Sequence, residues 1–218
     1  MQKYITKINM DFLQNIHTGY YHTPIMYFHK NIGVRWLFWE RLNQISKIIQ
    51  KNDSMKKTKC IDFGGGSGIF LPTLAKLFDE VILVDLEPSQ AEIIIKEYNL
   101  TNCKIIKGNI FELTFKNIDC IIAADVIEHF DNTLDILNQL KTFMNNDTSL
   151  ITSLPTENWL YVLLRKIFKQ EKPVDHYYGS EEIEKVFRAN GLKSTYNKNI
   201  PICKPFNLFA ITEWKINR

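Results

Sequence analysis

Aspartate and glycine residues with a regular spacing lie near position 65. The stretch CIDFGGGSGIF (60–70) places Asp62, Gly64, Gly66 and Gly68 at every second position between two apolar runs. Because glycine has no Cβ, a glycine-rich loop lets the backbone come close to a bound ligand. Where a strand passes into a helix, the usual ligand of such a loop is a nucleotide. The segment therefore predicts a nucleotide-like ligand, although a glycine-rich turn without a ligand would have the same composition.

The spacing of the glycines separates the classes of nucleotide site. A phosphate-binding loop of the GxxxxGK[ST] type would need a second glycine at position 69, which is Ile, and no Gly-Lys pair is nearby. In the dinucleotide fingerprint GxGxxG, the third glycine would fall on Ile69 or on Leu71. That glycine is sometimes replaced, so an NAD site stays open as an alternative. The pattern that fits is D-x-G-x-G-x-G.

The acidic residues favour a cationic ligand. Asp62 lies at the loop, where it would repel a pyrophosphate and attract a positively charged amino-acid conjugate of adenosine. Asp85 ends the run VILVD, 23 positions after Asp62. A carboxylate in that place can accept hydrogen bonds from both hydroxyls of a ribose. Together the two aspartates predict adenosine joined to an amino acid.

The elements that position these residues follow from the hydrophobic pattern. Apolar runs with helical stretches between them are typical of a parallel sheet buried on both faces. The predicted strands are 59–63, 80–85, 103–108, 118–124 and 149–154, and the predicted helices are 70–77, 89–98, 132–143 and 180–190. Two strand-like runs follow at 192–198 and 206–216. In such a sheet, ligands bind beyond the carboxyl ends of the strands, which is where the glycine loop lies.

An N-terminal helix precedes the sheet. Between about 25 and 51, apolar residues recur at three- and four-residue steps, with Ile32 and Trp36 on the apolar side. The fold class predicted is α/β: a Rossmann-like doubly wound sheet, mostly parallel, with an antiparallel C-terminal strand pair and an N-terminal helical cap. Residues 1–52 would form the cap, and 53–218 the main domain, with an insert at about 155–178.

The composition is that of an ordinary soluble protein. The chain has 218 residues, 45% hydrophobic and 23% charged, with a formal charge of +3, too small to indicate nucleic acid. The four cysteines have no CxxC spacing, and three of them fall at or in predicted strands, so small buried hydrophobes are favoured over disulfides or metal ligands. No secretory signal and no apolar run of bilayer-spanning length is present, so a reduced, cytoplasmic protein is expected.

The stretch from 58 to about 144 resembles a class I S-adenosylmethionine-dependent methyltransferase. The segments IDFGGGSG, ILVDLEPS, IIKGNIFEL and IDCIIAADVIEHF occur in the order that this family has. The resemblance implies S-adenosyl-L-methionine as the cofactor and a set of binding residues: Asp62, Gly64, Gly66 and Gly68 at the methionine half, Asp85 at the ribose, Leu86, Asn109 and Ile110 around adenine, and Asp125 beside the cofactor after the fourth strand. Asn109 departs from the pattern, because an aspartate is common there; its carbonyl oxygen can still accept a hydrogen bond from the adenine amino group.

Two histidines are candidates for a catalytic base, which methyl transfer needs only when the acceptor must lose a proton. His129 lies in VIEHF after the fourth strand, where in resembling sequences the Glu-His pair orders a loop. His176 begins HYYGSEEIE, which resembles a segment that many small-molecule methyltransferases carry before their last helix. Each histidine also has a structural interpretation. His129 would help to order the loop after the fourth strand, and His176 would pack within its own loop.

The insert after the fifth strand is the predicted acceptor region. The stretch WLYVLLRKIFKQEK combines apolar residues with basic ones, a composition that also suits contact with anionic lipid or a helix packed on the sheet. The residues predicted to face the acceptor are Trp159, Tyr161, Arg165, Tyr177 and Tyr178. No metal site is expected.

The acceptor class stays open at the level of the sequence. The favoured hypothesis is transfer to oxygen or nitrogen of a small, lipid-linked or glycan-linked acceptor, with possible peripheral membrane contact. DNA is not expected, because the commonest DNA methylation signatures are absent. The alternatives are a protein or RNA methyltransferase and an inactive, cofactor-binding partner subunit. The oligomeric state cannot be deduced.

Overall fold

The computed structural model describes residues 3–17, 25–167 and 177–217. The helices are α1 (Met10–Ile16), α2 (Ile32–Lys51), α3 (Leu71–Leu74), α4 (Ser89–Glu97), α5 (Thr133–Phe143), α6 (Trp159–Ile167) and α7 (Ser180–Ala189). The strands are β1 (Lys59–Phe63), β2 (Glu80–Asp85), β3 (Cys103–Lys107), β4 (Cys120–Ala124), β5 (Ser149–Pro155), β6 (Leu192–Ile200) and β7 (Phe209–Ile216). Within the described ranges, no helix is long and apolar enough to cross a bilayer.

The strands form one sheet in the order β3-β2-β1-β4-β5-β7-β6. The strands β1 to β5 pair in parallel, and β7 runs antiparallel to both β5 and β6. The chain order reverses between β1 and β4, so the carboxyl ends of these two strands form the crevice in which doubly wound sheets bind ligands. The predicted fold class is confirmed, including the antiparallel C-terminal pair.

Two helices are shorter than predicted. The pattern predicts a helix from about 25 to 51, and α2 begins only at Ile32, after a separate 3-10 helix at Ile25–Phe28. The sequence predicts a helix over 70–77, and α3 spans only Leu71–Leu74. Beyond it the chain closes into tighter turns, in which the amides of Lys76 and Leu77 each donate to the carbonyl three residues earlier.

Helix α2 is covered on two sides. It packs on β5, β6 and β7, and the N-terminal segment lies across it through hydrogen bonds of Tyr4 with Asn43, Ser46 and Gln50. Its second half is therefore buried around most of its circumference, polar residues included. The first turns extend past this cover, and Ile32 is 71% exposed although the periodicity places it on the apolar side. The division at 52/53 stays a prediction.

The cysteines are free, and their burial differs by position. Cys60 and Cys120 are buried neighbours in β1 and β4, and Cys103 is half-buried in β3. Cys203 is exposed, because it lies in the loop between β6 and β7. The expectation of small buried hydrophobes in the strands is confirmed for Cys60 and Cys120 and holds in part for Cys103.

Candidate functional site

The glycine loop follows β1 and is anchored to its neighbours on both sides. The Gly64 amide donates to the Val84 carbonyl at 2.8 Å, and Gly64 has a φ of +69°. A Cβ there would lie 2.4 Å from Val126 Cγ2. At Gly68, with a φ of +77°, a Cβ would lie 2.8 Å from the Cβ of Ala91 in α4. These two glycines let the loop pack closely against the turn after β4 and against α4.

Gly66 faces open space instead. Its φ is +49°, and the nearest heavy atom to an added Cβ would be Asp85 Oδ2, at 3.9 Å. The carboxylate of Asp85 holds the loop at this point: Oδ2 accepts a hydrogen bond from the Gly66 amide at 2.8 Å, and Oδ1 accepts one from the Glu87 amide at 2.9 Å. Since each carboxylate oxygen has a further lone pair, Asp85 can still accept from a ligand.

Asp62 is a buried carboxylate without a counter-charge. It is 3% exposed, and its Oδ2 atom has no hydrogen-bond partner. Burial first, and then the negative charge of Asp85, raise the pKa of Asp62 to about 7. The position therefore favours a ligand that brings a positive charge.

An inner cavity of about 160 Å³ adjoins this carboxylate. Arg41 of α2 lines it, is 2% exposed and forms an ion pair with Asp125. The guanidinium also donates to the Tyr27 hydroxyl at 3.1 Å and lies between the rings of Phe38 and Phe209, at 4.5 and 4.4 Å from their centroids. One cation from the N-terminal cap is thus fixed at the carboxyl end of the sheet.

Charged side chains of both signs line the inner cavity, and some of their atoms have no hydrogen-bond partner. Arg41 Nε and Asp125 Oδ1 are buried without hydrogen-bond partners, as is Asp62 Oδ2. Asp125 has a φ of +55°, a left-handed conformation that turns the chain directly after β4. Two carboxylates and a guanidinium complement the ammonium and carboxylate groups of an amino acid.

An outer cavity of about 500 Å³ continues from the inner one. The two share Gly64 and Asp125 in their walls. Asp85, Leu86, Asn109, Ile110 and His129 line the outer cavity, together with Phe63, Phe111, Val126 and Phe130. Its walls are mostly apolar, with the Asp85 carboxylate at one end, as a nucleoside requires.

The structure therefore brings most of the sequence-predicted cofactor residues to two adjoining cavities. Gly68 is the exception, since it packs the loop on α4. The side-chain carbonyl of Asn109 accepts a hydrogen bond from the Phe111 amide at 3.2 Å and caps the turn that follows. His129 lines the outer cavity and not the inner one. His176 lies outside the described residues, and the residue assignments themselves stay predictions.

The predicted acceptor residues lie in two places. Tyr161 of α6 packs its ring edge-on against Phe209, with centroids 5.8 Å apart, and Trp159 is 58% exposed. Arg165 lies in α6, and its side chain is outside the described part of the chain. The Tyr177 amide donates to the Glu128 carbonyl, and the Tyr178 hydroxyl donates to the Asp131 carbonyl, both at 2.9 Å. These two tyrosines are thereby tied to the turn after β4.

The family is decided by comparison with known proteins. Residues 37–197 match the family model of the methyltransferase domain. The chain belongs to the methyltransferase domain family. This match confirms the family predicted from the sequence, a class I S-adenosylmethionine-dependent methyltransferase, and with it the cofactor.

Individual relatives are distant and cover the chain unevenly. The ribosomal RNA small subunit methyltransferase A of Mycoplasma capricolum is 31% identical over 81 residues, 37% of this chain and 30% of that protein. The mitochondrial ubiquinone biosynthesis O-methyltransferase of Schizosaccharomyces pombe is 24% identical over 163 residues, 71% of this chain and 58% of that protein. The chain thus spans about a third to somewhat over half of the length of these curated relatives.

A solved structure shares the fold over nearly the whole chain. The N-methyltransferase NodS of Bradyrhizobium japonicum WM9, in complex with S-adenosyl-L-homocysteine, has a TM-score of 0.68 and 12% identity, and the match covers 96% of this chain and 98% of that one. At this identity the likeness shows the fold alone.

S-adenosylmethionine fits the two cavities of this methyltransferase. Its methionine part carries an ammonium and a carboxylate, which the unpartnered atoms of Asp62, Asp125 and Arg41 complement. Its adenosine part suits the outer cavity, where the Asp85 carboxylate offers acceptor oxygens of the kind that ribose hydroxyls need. Among the described residues, no group of histidine, cysteine, aspartate or glutamate could hold a metal ion.

Sequence reasoning missed Arg41 and its aromatic neighbours. A signal was present: Arg41 lies three positions after Phe38 and four before Ile45, on the apolar face of α2. Burying a charged side chain on the apolar face of a helix costs free energy unless the charge is paired. An arginine at this position therefore indicates an acidic partner elsewhere in the fold. Nothing in the sequence shows that the partner is Asp125, 84 positions away.

Two glycine variants are expected to have different defects. Gly66→Ala keeps the fold at a cost of about 1 to 2 kcal/mol for the positive φ, and weakens S-adenosylmethionine binding about tenfold or more because the methyl group occupies space at the cofactor. Gly68→Ala brings its Cβ against Ala91 and lowers the free energy of unfolding by about 2 kcal/mol or more. Denaturant unfolding and calorimetry measure both effects. Equal affinity of Gly66→Ala and wild type would contradict a cofactor at this loop.

Proposed function

We propose that this methyltransferase transfers the methyl group of S-adenosylmethionine to an oxygen or nitrogen atom of a small acceptor, free or linked to a lipid or glycan. The observation that carries this proposal is the aromatic wall beside the inner cavity. The rings of Tyr161, Phe209, Phe38 and Tyr27 follow one another at centroid distances of 5.8, 5.6 and 5.8 Å. An aromatic wall beside the methionine end of the cofactor suits a small, partly apolar acceptor.

The residues of the inner cavity have separate roles in this proposal. Asp62 binds the cofactor ammonium, and Arg41 binds its carboxylate. The aromatic rings around Arg41 exclude water and so strengthen both charge interactions. The Arg41–Asp125 ion pair links α2 to the turn after β4 and fixes the cap over the cofactor.

When bound, the cofactor supplies an activated methyl group, which is transferred by in-line displacement. The chain contributes alignment and exclusion of water, since a reacting pair held in line needs little further ordering. His129 is the described candidate for accepting a proton from a hydroxyl acceptor. It lines the outer cavity, so this role requires the acceptor to enter from that side.

The lengths of the alignments with relatives favour a small acceptor over RNA. The Schizosaccharomyces pombe O-methyltransferase, named for ubiquinone biosynthesis, aligns over 71% of this chain, whereas the Mycoplasma capricolum ribosomal RNA enzyme aligns over 37%. The longer alignment includes more of the chain outside the glycine loop. DNA is still not expected as a partner, and a cytoplasmic location stays a prediction.

A basic groove favours RNA as a second candidate acceptor. Lys47, Lys51, Lys193 and Lys215 line a groove of about 700 Å³. Lys193 and Lys215 pair at the start of β6 and the end of β7, beside the start of β5. The groove thus lies at the amino ends of the parallel strands, and the cofactor cavities lie at the carboxyl ends. RNA bound there would have to reach around the sheet to meet the methyl group.

Transfer of a labelled methyl group tests the proposal. The wild type is incubated with methyl-tritiated S-adenosylmethionine and one of three sets of acceptors. The first set contains phenolic and hydroxylated small molecules, the second contains extracted lipids and lipid-linked sugars, and the third is total RNA. Label in the small-molecule or lipid fraction is expected, and Tyr161→Ala should reduce it while leaving cofactor affinity unchanged. Label confined to RNA, or no label in any fraction by a protein that binds the cofactor, would contradict the proposal.

A further inference from the structure

The loop between β6 and β7 presents an exposed apolar tip. All six residues of PICKPF (201–206) are exposed, and five of them are apolar. Ile202 is 57% exposed and Phe206 45%. Next to them in the fold, Trp159 is 58% exposed and Leu163 44%. We call Ile202, Phe206, Trp159 and Leu163 the apolar rim.

The base of the tip is hydrogen-bonded to the strands below it. The Leu208 amide donates to the Ile200 carbonyl at 2.7 Å, and Asn207 Nδ2 donates to Asn199 Oδ1 at 2.8 Å. These bonds close the loop directly beneath the exposed residues. The apolar side chains are therefore displayed by a fixed support rather than by a loosely attached segment.

The tip and α6 form one surface. Asn158 caps α6 by accepting from the Tyr161 amide at 2.9 Å, and its Nδ2 atom donates to the Pro205 carbonyl at 3.2 Å. The rings of Trp159 and Phe206 lie edge to face, with centroids 6.1 Å apart. The four residues of the apolar rim thus belong to two segments held together by an asparagine and a ring pair.

The apolar rim lies on the outer side of the aromatic wall. Phe209, three residues after Phe206, contacts Tyr161 and Phe38 and packs on Arg41. The two segments that display the rim therefore also carry two rings of the aromatic wall, Tyr161 and Phe209. A surface that covers the rim would lie next to this wall.

Basic residues border the apolar rim. Lys204 lies within the tip, and Lys198 is exposed on β6. The tip contains no acidic residue, and Glu181 reaches it only through an ion pair with Lys204 at 2.6 Å. Apolar and aromatic residues bordered by lysines suit the boundary between acyl chains and anionic headgroups, and suit a second copy of this basic chain less well.

We propose that the apolar rim docks on an anionic lipid surface and holds the aromatic wall next to it. This inference deepens the proposed function, since it selects acceptors that reside in or at a bilayer. Docking on lipid does not depend on methyl transfer, so an experiment can contradict the docking proposal without contradicting the proposed function. Ile202 and Phe206 enter the headgroup region, and the basic residues remain at the phosphate level.

Vesicle binding tests the inference. The wild type is sedimented with vesicles of phosphatidylcholine alone and of phosphatidylcholine with phosphatidylglycerol, and the double variant Ile202→Ser/Phe206→Ser is compared with it. We expect binding to the anionic vesicles, weaker binding to the neutral ones, and a loss of about fivefold or more in the double variant. The matched control is Ile93→Ser. Ile93 is 45% exposed on α4, which packs at β3, the sheet edge opposite β6.

Calorimetry with S-adenosylmethionine on the same preparations separates the two proposals. Wild-type protein that binds the cofactor but sediments with neither vesicle overturns lipid docking and leaves the proposed function intact. Equal sedimentation of wild type and double variant also overturns it. A wild-type dimer, detected without vesicles and lost in the double variant, would assign the rim to a second copy instead.

Discussion

Replacement of Asp85 by alanine is expected to weaken S-adenosylmethionine binding about 100-fold or more. The carboxylate is placed to accept from the ribose hydroxyls, and it already holds the Gly66 amide at 2.8 Å. A hydrogen bond to a charged group contributes about 1.5 to 3 kcal/mol, so the loss of the ribose contacts and of the loop anchor together exceeds a factor of 100. Isothermal titration calorimetry measures the change.

Two further variants make this result specific to the Asp85 carboxylate. Asp85→Asn keeps one acceptor oxygen and should bind the cofactor about tenfold more weakly than wild type. Glu87→Ala, two residues on, removes a surface ion pair with Lys107 and should leave affinity unchanged. If Asp85→Ala bound as tightly as wild type, the ribose assignment would be wrong.

Asp62→Asn is expected to stabilise the free protein and to weaken cofactor binding. The wild-type carboxylate is buried, has an unpartnered oxygen and has a pKa raised to about 7. Removing its charge should increase the free energy of unfolding at pH 8 by an amount on the order of 2 kcal/mol. The same change removes the counter-charge of the cofactor ammonium, so affinity should fall about 100-fold.

The stability gain should depend on pH with a defined sign. In the folded protein Asp62 titrates at about 7, whereas an aspartate in an unfolded chain titrates at about 3.9. Between pH 3.9 and about 7, Asp62 binds more protons in the folded state than in the unfolded state. The contribution of Asp62 to the free energy of unfolding therefore falls as pH rises from about 3.9 to about 7, and it is constant above that. The advantage of Asp62→Asn should therefore be largest at pH 8 and small at pH 5.

Denaturant unfolding at pH 5 and pH 8 measures this effect. Asp79→Asn, the same substitution at an exposed site, should change stability at neither pH. A variant Asp62→Asn that is less stable than wild type at pH 8 would contradict a destabilising charge at this position.

The glycine loop and the central strands were predictable from the sequence because their signals are local. The strands β1 and β2 have the predicted bounds, since a short apolar run fixes a buried parallel strand. Asp62, Gly66 and Asp85 could be proposed from the sequence because their order and spacing are short-range features of one β1-α3-β2 unit. The fold class followed from the alternation of such units.

The parts that sequence reasoning missed depend on long-range contacts. The partner of Arg41 lies after β4, and the Phe38–Phe209 contact joins α2 to the last strand. The exposure of Ile32 also depends on where the N-terminal segment stops covering α2. Periodicity assigns a residue to one face of an element, and tertiary packing decides what covers that face.

The most direct test is calorimetry of the wild type with S-adenosylmethionine at pH 7, in buffers of different ionisation enthalpy and with NAD as a control. We predict micromolar binding of the cofactor, no binding of NAD, and net release of a fraction of a proton per cofactor, because the ammonium lowers the pKa of Asp62 from its value near 7. The release should be absent in Asp62→Asn. A folded wild type that binds NAD instead, or that binds the cofactor without releasing a proton, would contradict this account of the site.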